Sequence, residues 1–210
     1  MKIITLVALM ISLVLAAVTT MQRQTVLVSQ VQLDSATKLI SDLRDKEQTL
    51  DLSIEFGFDP MIVQITRVLA TDAIKSNWCT ACPTWRFIRT EKDLTYVLLS
   101  LIQTESHGDF MAVNKTSGAS GLTQLMLPTA KQYDKTVQAS DLLTIPKHMK
   151  IAVIYFVDLL KKYNGNYTLA VLAWNRGPGT VDRAIAFGQS PESNYARLVF
   201  TQAALRNARQ

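Results

Sequence analysis

The chain has 210 residues, of which 48% are hydrophobic, and 22 Lys and Arg against 17 Asp and Glu give it a net charge of +5. That length suffices to bury one good core. A modest positive charge without a basic stripe, a zinc knuckle or a nucleic-acid motif argues against nucleic acid as partner and suits an anionic polymer or surface.

In chain order, Met1-Lys2 precedes an apolar run from Ile3 to Val18 interrupted only by Thr5 and Ser12. This is an export segment, read as a retained membrane anchor ahead of a cleaved signal peptide, with Val14-Leu15-Ala16 as an acceptable cleavage site. Lys2 and Arg23 orient the body away from the cytoplasm only weakly. From Gln22 to Glu55, Leu33, Ala36, Ile40, Leu43, Leu50 and Ile54 recur at steps of three and four, with Glu47 in the missing place. The pattern predicts an amphipathic helix that packs on its own domain, with a short coiled coil as the alternative. Asp59-Pro60 supplies an N-cap and a first-turn proline for a helix to about Lys75 carrying Ile62, Ile65, Val68 and Leu69.

Cys79 and Cys82 form the one Cys-x-x-Cys in the chain. A local disulfide suits an exported protein. A redox pair lacks a surrounding βαβ pattern, and a zinc site would need His107 and His148 at a spacing that fits no usual template. No metal and no cofactor is therefore expected.

The most informative stretch follows. Thr90 and Asp93 form a capping signature, and Leu94, Val97, Leu98, Leu101 and Ile102 then recur at helical spacing, a stripe that continues onto Glu105. A carboxylate leaving a last turn on the buried side, with Gly108 as the stop, has its pKa raised by desolvation and stays protonated as a general acid must. An ordinary helix-end acid facing solvent is the bland alternative. Gly118-Ala119-Ser120-Gly121 permits a close turn, and Gln124 and Met126 offer an amide and an adaptable apolar contact of the kind a sugar-binding groove uses.

Beyond it, Pro128 to Tyr133, Met149 to Tyr163, Tyr167 to Trp174 and Val181 to Phe187 read as helical runs, punctuated by a loop to Pro146, by Asn164-Gly165-Asn166 and by Gly177-Pro178-Gly179. No useful strand alternation exists, so the fold class is mostly α, with at most a small hairpin near Gly118.

Three motifs in order carry a family resemblance. Glu105-Ser106, Ala112-Val113-Asn114, Gly118-Ala119-Ser120-Gly121-Leu122, Gln124, Met126 and Thr129-Ala130 resemble the first signature of the soluble lytic transglycosylases, which share the goose-type lysozyme fold. Met149, Ala152, Tyr155 and Phe156 are similar to the family's Ile-x-x-Gly-x-x-Tyr-Leu helix, and Ala173-Trp174-Asn175-Arg176-Gly177 to its Ala-Tyr-Asn-x-Gly motif. The resemblance covers about residues 90 to 190. Together with the apolar run and the helical spacing before it, this gives the expected organisation: a signal or anchor helix over 1–21, a helical extension with the Cys-x-x-Cys over 22–88, and a catalytic domain over 89–210.

For chemistry, the resemblance implies non-hydrolytic cleavage of the β-1,4 bond between N-acetylmuramic acid and N-acetylglucosamine in peptidoglycan. Glu105 would act first as acid and then as base, leaving a 1,6-anhydromuramoyl end, and the muramoyl N-acetyl group would stand in for the second carboxylate of ordinary glycosidases. Asn114, Gln124, Met126, Tyr155, Trp174 and Asn175 are the implied substrate-contacting residues. Trp174 stands where the family commonly has a tyrosine that hydrogen-bonds the catalytic glutamate, so the proton network must differ, because an indole donates one hydrogen bond and accepts none. One extra residue before Gly118 and a Pro128 one place late are further departures. An inert peptidoglycan binder and a hydrolytic muramidase are the competing readings. The expected place is the cell envelope, on the periplasmic side of the inner membrane, or a virion, with glycan strands, the membrane and an envelope-spanning assembly or virion proteins as partners.

Overall fold

A computed structural model describes residues 2–76, 91–189 and 193–207. The elements are α1 (Lys2–Phe56), α2 (Pro60–Lys75), α3 (Glu91–Glu105), α4 (Leu127–Tyr133), a 3-10 turn (Ala139–Leu143), α5 (Ile145–Lys162), α6 (Tyr167–Arg176), α7 (Pro178–Ala186) and α8 (Asn194–Asn207). Among the described residues there is no strand. The expected hairpin is reduced to two isolated bridges, Val113 with Ser120 and Ser120 with Leu125. Cys79, Cys82 and the Thr90 cap lie outside the described residues.

The chain divides into residues 1–48 and 49–210. The first unit is helical, and Leu33, Ile40 and Leu43 are exposed, as a single helix taken by itself must show. Among the described residues no helix is long and apolar enough to cross a membrane. The side chains of residues 1–9, which include the first seven residues of the apolar run, are outside that description.

The second unit begins within α1, and residues 49–76 contribute to its core. Leu52, Phe56, Phe58, Ile62, Val63 and Ala70 are all buried in the same cluster as α3 and α5. The buried face of α1 here is Leu52, Ser53 and Phe56, whereas Leu50 and Ile54, the expected stripe, are exposed. Tertiary contact decides the face: the Phe56 ring meets Phe58 at 5.5 Å and Tyr96 of α3 at 6.0 Å. At the start of α2, the Asp59 carboxylate accepts from the Met61 amide at 2.7 Å with Pro60 in the first turn. These are the two devices that satisfy or remove orphan helix donors.

Every residue of α3 from Leu94 to Ile102 is buried. A helix apolar on all sides belongs inside a core, and α3 packs against both α2 and α8. It ends where Ser106 is followed by His107 at φ 56° and Gly108 at φ 86°. A Cβ on Gly108 would lie 2.7 Å from the Phe58 ring, so glycine is needed there for conformation and for space. A second layer has α5 against α2, α4 and α6, and α6 against α7 and α8.

Because Phe56, Phe58 and Ile62 close over α3, a fragment starting at Thr49 is expected to melt cooperatively like the parent. One starting at Glu91 is expected to lose near-ultraviolet circular dichroism, since truncating even one large core side chain costs about 3–5 kcal/mol.

Candidate active site

Glu105 is the last residue of α3 and is half-buried. Desolvation by the surrounding core raises its carboxyl above the usual 4.5, opposed by a hydrogen bond that the Tyr195 hydroxyl donates to Oε1. Tyr195 lies in the first turn of α8, where Ser193 caps the helix by accepting from the Ala196 amide at 3.3 Å. Burial and the Glu105 charge push the Tyr195 hydroxyl far above its usual range, so it stays a donor. The bland alternative, a carboxylate turned to open solvent, does not describe this group.

The loop after Glu105 is tied to the helix end through Ser106. Its hydroxyl donates to the Leu122 carbonyl at 2.7 Å and accepts from the Gly108 amide at 3.2 Å. Ser106 is therefore a structural link. Gln124 sits at φ 50°, a left-handed conformation that non-glycine residues adopt only when held there. Its amide donates to the carbonyls of Ala112 at 3.2 Å and Gly121 at 3.0 Å. Asn114 is exposed, and its Oδ1 accepts from the amides of Thr116 at 2.9 Å and Ser117 at 3.0 Å. Both expected sugar ligands thus have side-chain atoms committed to the loop's own backbone. Met126 is 38% exposed, and Phe110, Met111 and Val113 are exposed on the same loop.

Tyr155 and Trp174 come together. Their rings are 4.9 Å apart, Tyr133 lies 5.7 Å from Tyr155, and Phe156 meets Trp174 at 6.0 Å. Tyr155 is buried, Trp174 half-buried and Asn175 exposed on the last turn of α6. Burial raises the Tyr155 hydroxyl, while burial and Asp158 push Tyr133 up to about 12. Trp174 is thus held by ring packing, and the hydroxyl on Glu105 comes from α8. The sequence reading missed Tyr195 because it ended its elements at Phe187. The available signal was Ser193 as a helix cap, followed by a tyrosine.

The acids of the following loops have partners of their own. Asp109 accepts from the Met111 amide at 2.8 Å. Asp141 is paired with Lys147 at 3.0 Å and Asp134 with the same lysine at 3.6 Å. Hydrogen bonds, from Thr136 to Asp134 and from the Gln138 amide to Asp141, hold both carboxyls below the usual range. His148, which the zinc alternative required, has both ring nitrogens occupied: Nδ1 faces the Leu142 carbonyl at 2.9 Å, and Nε2 accepts from the Thr123 amide at 3.1 Å. Burial lowers it to about 4.

Chemically, the arrangement is a half-buried carboxyl, raised above its usual value, with a phenol donor beside it. Residues 88–196 match the family described as the transglycosylase SLT domain. Among solved structures, the chain is similar to an inactive Glu-to-Gln mutant of the lytic transglycosylase Slt from Pseudomonas aeruginosa. That match has 22% identity and a TM-score of 0.50 over 55% of this chain and 22% of that one. It is also similar to the 70 kDa soluble lytic transglycosylase SLT70 from Escherichia coli, at 18% identity and a TM-score of 0.47, covering 67% of this chain and 29% of that one. The chain therefore spans less than a third of the length of either protein. The first likeness is one of fold: lysozyme-like and all-α.

Two outcomes follow from the titrating groups. His148 is lowered in the fold, so its contribution is complete above pH 6.5 and is lost as the pH falls through about 4. Chemical denaturation between pH 7 and 4 should show a loss of about 3 kcal/mol from this group, absent in His148→Gln. Glu105 is raised, so its ionisation costs stability as the pH rises above 4.5. Glu105→Gln should accordingly raise the melting temperature at pH 7 and leave it unchanged at pH 4.

Proposed function

The chain belongs to the transglycosylase SLT domain family, and on that premise we propose that it is a peptidoglycan lytic transglycosylase. The observation that carries this reading is Glu105: half-buried, raised in pKa and hydrogen-bonded by Tyr195. A carboxyl in that setting is shifted toward its protonated form, the form a general acid requires.

Glu105 gives its proton to the glycosidic oxygen as the bond to muramoyl C1 breaks, and the substrate's N-acetyl group bears the positive charge left on the sugar. The Glu105 carboxylate, now accepting the Tyr195 O–H, takes the proton of the C6 hydroxyl, and that oxygen bonds to C1. The glutamate ends protonated again, no water is consumed, and the product is a 1,6-anhydromuramoyl end. Tyr195 stabilises the ionised glutamate between the two proton transfers and fixes its orientation. Met126, Tyr155, Trp174 and Asn175 offer the apolar, aromatic and amide contacts that a glycan strand would use. Asn114 and Gln124 act by shaping the loop. In this reading the catalytic unit works in the cell envelope, on the wall side of a membrane that the apolar run from Ile3 to Val18 would reach. Its partners would be glycan strands and an envelope-spanning or virion assembly.

Digestion of purified sacculi, with mass spectrometry of the released ends, is the test. Anhydromuramoyl ends are expected from the wild type and should fall by roughly 10²–10⁴-fold in Glu105→Gln, the range for loss of a positioned acid–base. Reducing ends carrying an added water would point to hydrolysis, and no soluble product to a binder; either result would overturn the proposal.

A further inference from the structure

A buried cluster away from the Glu105 carboxyl connects α5 to the loop beside it. His148, 1% exposed, sits in the first turns of α5. Its Nδ1 faces the Leu142 carbonyl of the 3-10 turn at 2.9 Å. A carbonyl only accepts, so Nδ1 carries the proton and Nε2 is the acceptor. Two groups of one residue meet Nε2: the Thr123 amide at 3.1 Å and the Thr123 hydroxyl at 2.8 Å.

Thr123 is flanked by the two residues that define the loop's relation to the site. On one side, the Leu122 carbonyl accepts from Ser106, the residue next to Glu105. On the other, Gln124 is held at φ 50° with its amide bonded across to Ala112. The approach is close. A Cβ on Gly121 would lie 2.1 Å from the Leu142 oxygen and 2.6 Å from His148 Nδ1, so only glycine lets the loop reach the imidazole.

We propose that His148 is a positioning residue for the reaction: through Thr123 it fixes the 121–124 loop, and through Leu122 and Ser106 the end of α3 that presents Glu105. This rests on the lytic transglycosylase reading for its kinetic consequence but not for the contact itself. The two nitrogens have separable jobs, Nδ1 joining α5 to the 3-10 turn and Nε2 locating the loop. An Asn side chain reaches where Nδ1 lies, and a Gln side chain where Nε2 lies.

The experiment compares His148→Asn and His148→Gln in the full chain, measuring turnover per folded molecule on soluble glycan strands and amide hydrogen exchange at Thr123 and Gln124. In His148→Asn, kcat is expected to fall roughly tenfold to a hundredfold and the two amides to exchange faster, with melting still cooperative. His148→Gln should restore both readouts even if it melts lower. Unchanged kcat in His148→Asn, or losses that follow only the folded fraction in both variants, would overturn the proposal. Should the wild type release no product, the function reading fails, and the exchange rates decide the positioning role alone: unchanged protection in His148→Asn overturns it.

Discussion

A carboxyl at the open end of a buried helix, with a phenol as partner, is the constraint on which the rest of the molecule depends. Burial raises Glu105 and the Tyr195 hydrogen bond lowers it, with burial the larger influence. The fold tolerates this because α3 is buried from Leu94 to Ile102. Each large apolar side chain there contributes about 1.5–3 kcal/mol on burial, so the sum far exceeds the cost of one partly desolvated acid. The same rigidity delivers the carboxyl to one place. Tyr195 arrives from a helix that packs directly on α3, which ties the acid to its donor through backbone elements on both sides.

Around that pair, the polar side chains of the adjoining loop mostly serve the loop. Ser106, Asn114, Gln124 and Thr123 each bond to backbone or to His148. A loop with little regular structure has many backbone groups to satisfy, and here side chains satisfy them. Among its exposed groups are three large apolar side chains, Met111, Val113 and Met126. On the proposed reading the chemistry needs one acid and one phenol, while sugar rings meet apolar and aromatic surface.

The period of α3 and the position of Glu105 at its end were legible because one apolar stripe with a glycine stop is a local signal. The Asp59-Pro60 start of α2 and the breaks at Asn164 and Gly177 were legible for the same reason. The buried face of α1 after Thr49 was not, because it is chosen by Tyr96 and Phe58 rather than by the helix's own repeat. Tyr195 was hidden by distance, since 90 positions separate it from the carboxylate it meets. The bonds that Asn114 and Gln124 make to their own loop were not legible, because an amide beside a glycine turn looks the same in sequence whether it faces a ligand or the backbone. Trp174 has no hydroxyl to offer, and the one that reaches Glu105 comes from Tyr195 of α8.

The central claim is that burial raises the Glu105 carboxyl above its ordinary value and that the Tyr195 hydrogen bond opposes the rise. Carboxyl-carbon NMR titration of Glu105 in the wild type and in Tyr195→Phe tests it directly. The account predicts a midpoint above 4.5 in the wild type and higher again in the variant, where the lowering hydrogen bond is gone. A wild-type midpoint at or below 4.5, or one that does not rise in Tyr195→Phe, would contradict it.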